Sequence, residues 1–229
     1  MARVDIVIPV HNALDYLRLC INSLYLYTSD FNLILVSDKF CPRTEEYVQD
    51  LADNKWCTLL HSPPGAFFTA KCNIGIKHST LFWILLLNAD IEITQGGWLE
   101  QLINCAERWH SGIVGCKLLN PDGTISHGGG YGIGFHYGIN EPNLNYFEER
   151  EVEWVTGAAM LIRQAVVTTC GLMDDRYVHV GSDREYCYTA RRYGFSIVYS
   201  PVSLLHYGEK SRDTVTDLKI QEQHMKGVF

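Results

Sequence analysis

Polar side chains follow three apolar segments of the sequence, each at the point where the segment ends. The segments are VDIVIPV, FNLILV and FWILLL, and they lead into His11–Asn12, Ser37–Asp38 and Asn88–Ala89–Asp90. A carboxylate or carboxamide at the end of a buried strand either marks where the strand reaches the surface or supplies an acid to a site at the end of a sheet. The elements around these segments decide between the two interpretations.

The apolar segments alternate with helical patterns, which predicts parallel β-α-β units. Strand patterns cover residues 4–10, 31–38, 56–62 and 82–87, and helical spacing covers 14–25, 43–53 and 70–79, with Asn12 as a helix N-cap. This order is typical of an α/β fold with a mostly parallel central sheet. Because ligands bind at the carboxyl ends of parallel strands, we expect the three polar ends to meet at one edge and form a site.

The second half of the chain has a more mixed pattern. Ser182 and Glu185 form a capping-box pattern at the start of one predicted helix. Gly157 lies inside a predicted strand, where a second chain or a ligand can approach closely. The predicted strands are 112–119, 152–162 and 195–201, the helices are 97–109, 163–170 and 182–194, and a flexible loop or short hairpin is expected over the Gly-rich residues 125–147.

Composition argues against several classes of protein. The 229-residue chain has a formal net charge of -7, which argues against a nucleic acid partner. None of the eight cysteines forms a C-x-x-C pair, so we expect reduced, structural cysteines rather than a zinc site. The amino-terminal apolar run ends at Pro9 and is too short for a signal peptide or a membrane span. These features predict a cytoplasmic protein without a membrane span, with peripheral membrane association left open.

The order of motifs along the chain resembles glycosyltransferase family 2. The matching segments, within residues 4–208, are VDIVIPVHN, LILVSDKF, AKCNIGIKHS, LLLNADIEIT, GWLEQL, LLNPDGTISHGGG, WVTGAAMLIRQAV, CGLMDDRY, GSDREYCYTARRYGF and YSPVSLLHYG. They look most like the inverting, rhamnosyltransferase-like branch that has N-x-D in place of D-x-D. The resemblance implies one GT-A domain over 1–208, with a nucleotide-sugar half (1–90) and an acceptor half (91–208), followed by a polar tail (209–229) as a possible lid.

The resemblance implies a nucleotide site in the first half. Asp38 matches the residue that hydrogen-bonds the pyrimidine base, and a carboxylate suits the N3–H of uracil or thymine. The implied donor is therefore a UDP- or TDP-sugar. The other positions that match donor-binding residues are Pro9, Val10, His11, Asn73, Asn88, Ala89 and Asp90.

The resemblance also implies a metal site and a catalytic base. Asp90 matches the metal-ligating acid of D-x-D, and His206 matches a histidine that binds the same metal. The implied cofactor is Mn²⁺ or Mg²⁺, which neutralises the diphosphate leaving group. Asp183 matches the base that takes the proton from a hydroxyl of a glycan or another acceptor. The candidates for contact with the acceptor or donor sugar are Asp174, His127 and Gly157.

Simpler interpretations stay open for these residues. Asp90 could be an ordinary acid at a strand end, Asp183 could serve only to stabilise a helix N-terminus, and His206 could be a core histidine. Asn88 and Ser182 replace acids of the family pattern, which leaves open a non-catalytic module that binds sugar nucleotides or glycans. A sugar-phosphate nucleotidyltransferase is a further alternative, although HNALDYLRL lacks the Gly-rich, basic segment of such enzymes.

Overall fold

A ten-stranded sheet with helices on both faces forms the centre of the protein. The computed structural model describes residues 2–143, 146–177 and 180–208. The helices are α1 (Leu14–Tyr27), α2 (Pro42–Asp53), α3 (Phe68–His78), α4 (Trp98–Arg108), α5 (Gln164–Cys170) and α6 (Ser182–Arg192). The strands are β1 (Val4–Val10), β2 (Phe31–Ser37), β3 (Thr58–His61), β4 (Trp83–Leu87), β5 (Ile91–Glu92), β6 (Ile113–Leu119), β7 (Ile125–His127), β8 (Gly130–Tyr131), β9 (Phe135–His136), β10 (Arg150–Glu151), β11 (Ala159–Arg163) and β12 (Ile197–His206).

The main path of the sheet has the order β10-β12-β6-β11-β4-β1-β2-β3, with β5 beside β12 and β7 beside β6. The strands β3, β2, β1 and β4 are parallel, β11 is antiparallel to both β4 and β6, and β12 is parallel to β6. Because β3, β2, β1, β4, β6 and β12 all run in one direction, the prediction of an α/β fold with a mostly parallel sheet is confirmed. The strands β8 and β9 form the short hairpin expected in the Gly-rich region.

The side chains of β1 alternate between two hydrophobic layers. Ile6 and Ile8 pack in the layer that contains residues of α1 and α4, whereas Val7 packs in the opposite layer with residues of α3, α5 and α6. This alternation follows from the two-residue period of a strand. Because both faces are covered, the strand needs apolar residues on both sides, which explains its nearly continuous apolar sequence.

The polar strand ends meet at one edge of the sheet, as predicted. Val10 pairs with Ser37 at the ends of β1 and β2, and β4 lies parallel to β1 on its other side. The strand β5 follows Asp90 directly and pairs with the end of β12, so that Ile91 lies opposite His206. The topology therefore brings His206 to the edge where β1, β2 and β4 end.

The strand predicted over 152–162 is wrong at its beginning, because β11 starts only at Ala159 and Gly157 lies outside it. The backbone amides of Thr156 and Gly157 do not pair with a neighbouring strand. They donate instead to side chains, Nε2 of His127 at 3.2 Å and Oδ2 of Asp183 at 2.9 Å. The segment leaves the sheet because these side chains take its hydrogen bonds.

Two predicted helix caps are also wrong. Helix α1 follows Ala13 in a left-handed conformation (φ 59°), so Asn12 lies one residue before the cap. Helix α6 follows Gly181 (φ 90°), which has no side chain to cap the helix, so Ser182 and Glu185 do not form a capping box. A side-chain cap needs an extended residue whose oxygen reaches the first-turn amides. A left-handed residue at the N-cap position does not provide that geometry.

Two further predictions concern the ends of the chain and its cysteines. The tail over 209–229, and with it the predicted lid, lies outside the described residues, and the division into residues 1–90 and 91–208 remains a prediction. Within the described ranges, no helix is long and apolar enough to cross a bilayer. All eight cysteines are free thiols, and five of them are buried, which agrees with a structural role.

Gly75 allows α3 to pack closely on β1, and Gly75→Ala is expected to destabilise the protein. An added Cβ would lie 2.2 Å from Cγ1 of Val7. Alanine gains about 1 kcal/mol of helix propensity over glycine, but overpacking a core costs about 1–3 kcal/mol, and an overlap this severe lies at the upper end. We expect a net loss of about 1–2 kcal/mol in urea unfolding.

Gly96→Ala is the matched control, because nothing lies within 4 Å of the added Cβ. Its effect should stay within about 0.5 kcal/mol. Adding Val7→Ala to Gly75→Ala removes the methyl groups that clash, so the cost of Gly75→Ala should be smaller in the Val7→Ala background. Equal costs in both backgrounds would contradict the packing argument.

Candidate active site

A buried ion pair lies at the end of β2. Nζ of Lys71 donates to Oδ2 of Asp38 at 2.7 Å and to the carbonyl oxygen of Val10 at 2.9 Å. Nδ1 of His11 lies 2.5 Å from the same carboxylate oxygen, and the backbone N–H of Phe40 donates to Oδ1 at 3.1 Å. The side chains of Asp38 and Lys71 are only 3% and 5% exposed. The carboxylate is therefore fixed in orientation at the edge of the sheet.

The two charges of this pair stabilise each other. Burial disfavours the ionised form of Asp38, but the hydrogen bonds from Lys71 and His11 outweigh it and hold the pKa of the carboxyl below its ordinary value. Burial lowers the pKa of Lys71, and the bond to Asp38 opposes that change. Sequence reasoning missed Lys71. The available signal was a charged residue within the mostly apolar start of the helical segment AKCNIGIKHS.

The ring of His11 is the more exposed part of this cluster. It stacks on Phe40 with the ring centroids 4.2 Å apart, and its side chain is 34% exposed. Phe40 is 64% exposed, so two aromatic rings border the carboxylate on its outer side. Pro9 and Val10 contribute through their backbone, since Pro9 pairs with β2 and the carbonyl of Val10 binds Lys71.

Asn73 connects α3 to a loop of the second half. Its Nδ2 donates to the carbonyl oxygen of Met173 at 2.8 Å, and its Oδ1 accepts the N–H of the same residue at 3.0 Å. The adjacent Asp174 accepts hydrogen bonds from the backbone and guanidinium of Arg176. Both amide atoms of Asn73 are thus used within the protein. Its predicted contact with the donor, and that of Asp174 with a sugar, remain predictions.

Asp90 and His206 are adjacent in space. Asp90 is 4% exposed, and its Oδ1 lies 3.3 Å from Nε2 of His206. The backbone N–H of Tyr207 donates to the carbonyl oxygen of Asp90 at 3.0 Å. The hydroxyl of Tyr207 donates to Glu92 at 2.6 Å. These bonds hold the end of β12 against the turn that follows β4, and so they place the imidazole beside the carboxylate.

Asn88 lies next to this pair along the chain. Its backbone N–H donates to the carbonyl oxygen of Ala158 at 2.9 Å, and the following residue, Ala89, is buried. Oδ1 of Asn88 is buried and makes no hydrogen bond within the described residues, whereas Nε2 of His206 has the carboxylate of Asp90 as its neighbour. A buried polar atom without a partner is costly, and Oδ1 of Asn88 lies two residues from Asp90, so a ligand bound at this strand end would supply the missing partner.

These donor atoms fit a divalent cation that is bound together with a substrate. Carboxylate and amide oxygens suit Mg²⁺ and Mn²⁺, and imidazole nitrogen is a common ligand of transition metals. In the part of the chain that the structure describes, no three His, Cys, Asp or Glu side chains converge on a point that could hold a metal. The protein would therefore supply only part of the coordination shell, and oxygens of a phosphate group and water would supply the rest.

Asp183 is held at the start of α6 by two backbone amides. Its Oδ2 accepts the N–H of Gly157 at 2.9 Å, and its Oδ1 accepts the N–H of Arg184 at 2.8 Å. The bond with Arg184 is one that any acid at a helix N-terminus could make. The bond with Gly157 reaches outside the helix and is not explained in that way. Each oxygen keeps a lone pair that can accept a proton. An added Cβ at Gly157 would lie 3.0 Å from the ring of Phe68, so glycine permits the close approach of that ring to the backbone.

Residues 156–158 join the separate parts of this region. In chain order, they donate an N–H to His127 at 3.2 Å, donate an N–H to Asp183 at 2.9 Å and accept the N–H of Asn88 at 2.9 Å. The predicted base and the strand end that leads to Asp90 therefore bond to one short segment. His127 is 2% exposed and lies behind that segment, so its predicted contact with a sugar remains a prediction.

Comparisons with known proteins agree with the fold. The family model described as glycosyl transferase family 2 matches residues 5–170. The O-antigen biosynthesis protein RfbC of Myxococcus xanthus is 29% identical over 231 residues, covering 92% of this chain and 18% of that protein. The N-acetylglucosaminyl-diphospho-decaprenol L-rhamnosyltransferase of Mycobacterium tuberculosis is 24% identical over 157 residues, covering 59% of this chain and 51% of that protein. The chain thus spans between 18% and 51% of the length of these two relatives.

Solved structures show the same architecture. The crystal structure of GalNAc-T7 with UDP, GalNAc and Mn²⁺ matches with a TM-score of 0.69 at 16% identity, over 90% of this chain and 44% of that one. The crystal structure of TarS from S. aureus matches with a TM-score of 0.62 at 15% identity, over 88% of this chain and 37% of that one. The expected GT-A fold is confirmed. Since the family model covers well over half of its residues, the chain belongs to glycosyl transferase family 2.

Proposed function

We propose that the chain is a metal-dependent, inverting glycosyltransferase that moves a sugar from a UDP- or TDP-sugar to a hydroxyl of a glycan or another acceptor. The observation that carries this proposal is the segment 156–158, which bonds to both Asp183 and Asn88. It connects a carboxylate able to accept a proton with the sheet edge where Asp90 lies 3.3 Å from His206. Glycosyl transfer needs a group that accepts a proton close to a group that neutralises the diphosphate.

The nucleotide would bind beyond the ends of β1 and β2. Lys71 keeps Asp38 ionised and oriented, so its carboxylate would accept the N3–H of uracil or thymine. Cytosine has an acceptor at that position and would be disfavoured. The exposed rings of His11 and Phe40 offer an apolar surface for a planar base. The GalNAc-T7 crystal structure contains UDP and Mn²⁺, which supports a similar ligand pair here.

The diphosphate would lie at Asn88, Asp90 and His206, which would hold Mn²⁺ or Mg²⁺ with it. When bound, the cation neutralises the negative charge that develops on the leaving group. The backbone hydrogen bond from Tyr207 to Asp90 holds the imidazole of His206 next to the carboxylate of Asp90 before any ligand binds.

Asp183 would act as the general base. Its carboxylate would accept the proton of the acceptor hydroxyl while that oxygen bonds to the anomeric carbon. The bond from the anomeric carbon to the diphosphate breaks at the same time, and its electron pair leaves with the diphosphate. One such displacement inverts the anomeric centre. The amides of Gly157 and Arg184 hold the carboxylate in place for this proton transfer.

The acceptor is proposed to be a glycan under construction. The names of two relatives, an O-antigen biosynthesis protein and an N-acetylglucosaminyl-diphospho-decaprenol L-rhamnosyltransferase, support a role in polysaccharide biosynthesis. A reducing, cytoplasmic setting is part of the proposal and is supported by the eight free thiols.

A nucleotide panel tests the donor site directly. We expect UDP or TDP with Mn²⁺ or Mg²⁺ to raise the melting temperature, and GDP and CDP to have little effect. A ligand at 100 times its dissociation constant adds about 2.7 kcal/mol of stability, which is roughly 5–10 °C for a chain of this size. Part of the increase should require the metal, because Asp90 and His206 contact the nucleotide only through it.

Asp90→Asn should abolish the metal-dependent part of this increase. Asp53→Asn is the matched control, because Asp53 is an exposed acid on α2 that bonds to Gln49 across one helical turn. A nucleotide shift that is equally large without metal, or in Asp90→Asn, would overturn the metal site. No shift with any nucleotide would overturn the donor site.

A further inference from the structure

Two histidines beside the proposed base form a directly bonded pair. Nδ1 of His127 lies 2.9 Å from Nδ1 of His136. Nε2 of His127 lies 3.2 Å from the backbone nitrogen of Thr156. His127 is 2% exposed, whereas His136 lies on β9 and is partly exposed. Neither the proposed donor site nor the proton transfer to Asp183 uses this pair.

The hydrogen bonds determine which nitrogen of each ring carries a proton. A backbone amide can only donate, so Nε2 of His127 is the acceptor and carries no proton. Burial lowers the pKa of His127 well below its ordinary value, so the ring is neutral and its one proton is on Nδ1. That proton is donated to Nδ1 of His136. The remaining ring nitrogen of His136, Nε2, therefore bears the proton and acts as a hydrogen-bond donor.

The position of His136 places this donor in the acceptor half of the site. Its ring meets the ring of Trp154 edge-on, with centroids 4.8 Å apart, and Trp154 lies two residues before Thr156, where the segment that bonds to Asp183 begins. The same hairpin carries Tyr131 and Phe135, whose rings stack 5.4 Å apart and are 41% and 59% exposed. Because side chains alternate along a strand, these two rings lie on the other face of the hairpin from His136. A neutral N–H donor suits a sugar hydroxyl, whereas a phosphate would favour a cation.

We propose that the hairpin β8–β9 forms the acceptor-sugar subsite and that Nε2–H of His136 donates a hydrogen bond to a hydroxyl oxygen of that sugar. His127 is then a positioning residue, since it fixes the tautomer of His136 without touching the sugar. This inference rests on the proposed transferase function, and it moves the sugar contact predicted for His127 to its partner on the hairpin.

The tautomers are measured first, by long-range proton–nitrogen NMR of the full chain labelled with ¹⁵N at its nine histidines. His136→Gln and His127→Gln assign the two resonance sets. We expect neutral rings with the proton on Nδ1 of His127 and on Nε2 of His136. A proton on Nδ1 of His136, or rapid exchange between its two tautomers, would overturn the inference whatever the activity of the protein.

Sugar binding is measured next, with the octyl β-glycosides of N-acetylglucosamine, glucose, galactose and rhamnose as probes, in the presence of UDP or TDP and Mg²⁺. At least one glycoside should shift the Nε2 resonance of His136. His136→Phe keeps a ring against Trp154 but removes the donor, and it should weaken binding of that glycoside by about 3–10-fold, the range expected for one neutral hydrogen bond. His136→Gln places an amide donor near the same point and should lose less.

His78→Gln is the control, because His78 is exposed at the end of α3, away from the sheet edge that carries the site. Nucleotide binding should be unchanged in all three variants. Failure of every glycoside to shift His136, or equal binding by wild type and His136→Phe, would overturn the subsite. Absence of nucleotide binding in the wild type would instead count against the proposed function. Failure of the subsite and failure of the proposed function are therefore distinguishable.

Discussion

Asp183→Asn is expected to lower kcat for sugar transfer by about 10²–10⁴-fold, the usual contribution of a positioned general base. The asparagine side chain keeps the size of aspartate, and its carbonyl oxygen can still accept the N–H of Gly157, the bond that fixes the wild-type carboxylate. What is lost is the ability to take up the proton of the acceptor hydroxyl. The measurement is the rate of nucleotide release with donor and acceptor both saturating.

The KM for the donor should change little in this variant, because Asp183 bonds to the segment beside the donor site and does not hold the nucleotide. A loss confined to kcat is the signature of an interaction made only in the transition state. A large rise in the donor KM with an unchanged kcat would contradict the assignment of Asp183 as the base.

Glu185→Gln is the matched control for this prediction. Glu185 lies in the same first turn of α6, is only partly exposed, and has a guanidinium nitrogen of Arg184 3.7 Å from its carboxylate. If only the charge at the helix N-terminus mattered, both substitutions would lower stability by a similar amount, about 0.3–1 kcal/mol, and neither would change kcat strongly. If wild type and Asp183→Asn release nucleotide equally slowly from every donor, the non-catalytic binding module becomes the better interpretation.

The parts of the fold that could be predicted are those that local sequence determines. The continuous burial of β1 is visible in the nearly unbroken apolar run VDIVIPV, and Asn88 and Asp90 stand out because they interrupt an apolar run. Parallel β-α-β topology then requires such ends to share an edge. The convergence of the strand ends was therefore predictable without any contact information.

The parts that could not be predicted depend on contacts between distant segments. Lys71 looks like an ordinary helix residue until α3 packs beside β1 and brings its ammonium to Asp38. His127 and His136 are separated by a Gly-rich turn whose path the sequence leaves open. The cap of α6 was misassigned because Gly181, with φ 90°, takes the cap position, and glycine is a much weaker cap signal than serine.

Lys71→Met is expected to have the largest effect on stability of any single change discussed. Methionine fills a similar volume but leaves the carboxylate of Asp38 buried without its cation, and breaking a buried pair in this way costs about 3–5 kcal/mol. For a chain of this size the melting temperature should fall by roughly 6–20 °C. The measurement is urea unfolding near pH 7, with thermal unfolding as a second probe.

Arg108→Met is the control, because the ion pair between Arg108 and Glu149 is on the surface, with the arginine side chain 58% exposed. Such pairs contribute about 0–1 kcal/mol. The double variant Asp38→Asn with Lys71→Met removes both charges and should be more stable than Lys71→Met alone, since no uncompensated charge stays buried.

The pH dependence gives an independent check on the same pair. In the wild type the pKa of Asp38 is lowered below its ordinary value of 3.8, so its ionisation stabilises the folded state above that pH, and the stabilisation is lost as pH falls through the folded-state pKa. In Lys71→Met the folded-state pKa of Asp38 should rise, because burial then outweighs the bonds that remain. The cost of the substitution should therefore be greatest near neutral pH and should shrink as the pH is lowered and the carboxyl protonates.

The outcome also bears on base recognition. If Lys71→Met cost no more than Arg108→Met at pH 7, Asp38 would have to be protonated or hydrated in the folded protein. A protonated carboxyl would no longer select the N3–H of uracil or thymine over the acceptor nitrogen of cytosine. A large cost that shrinks at lower pH would mean that the chain keeps a buried charge whose acceptor is matched to a pyrimidine N–H, and Lys71→Met should then also weaken the preference for UDP or TDP over CDP.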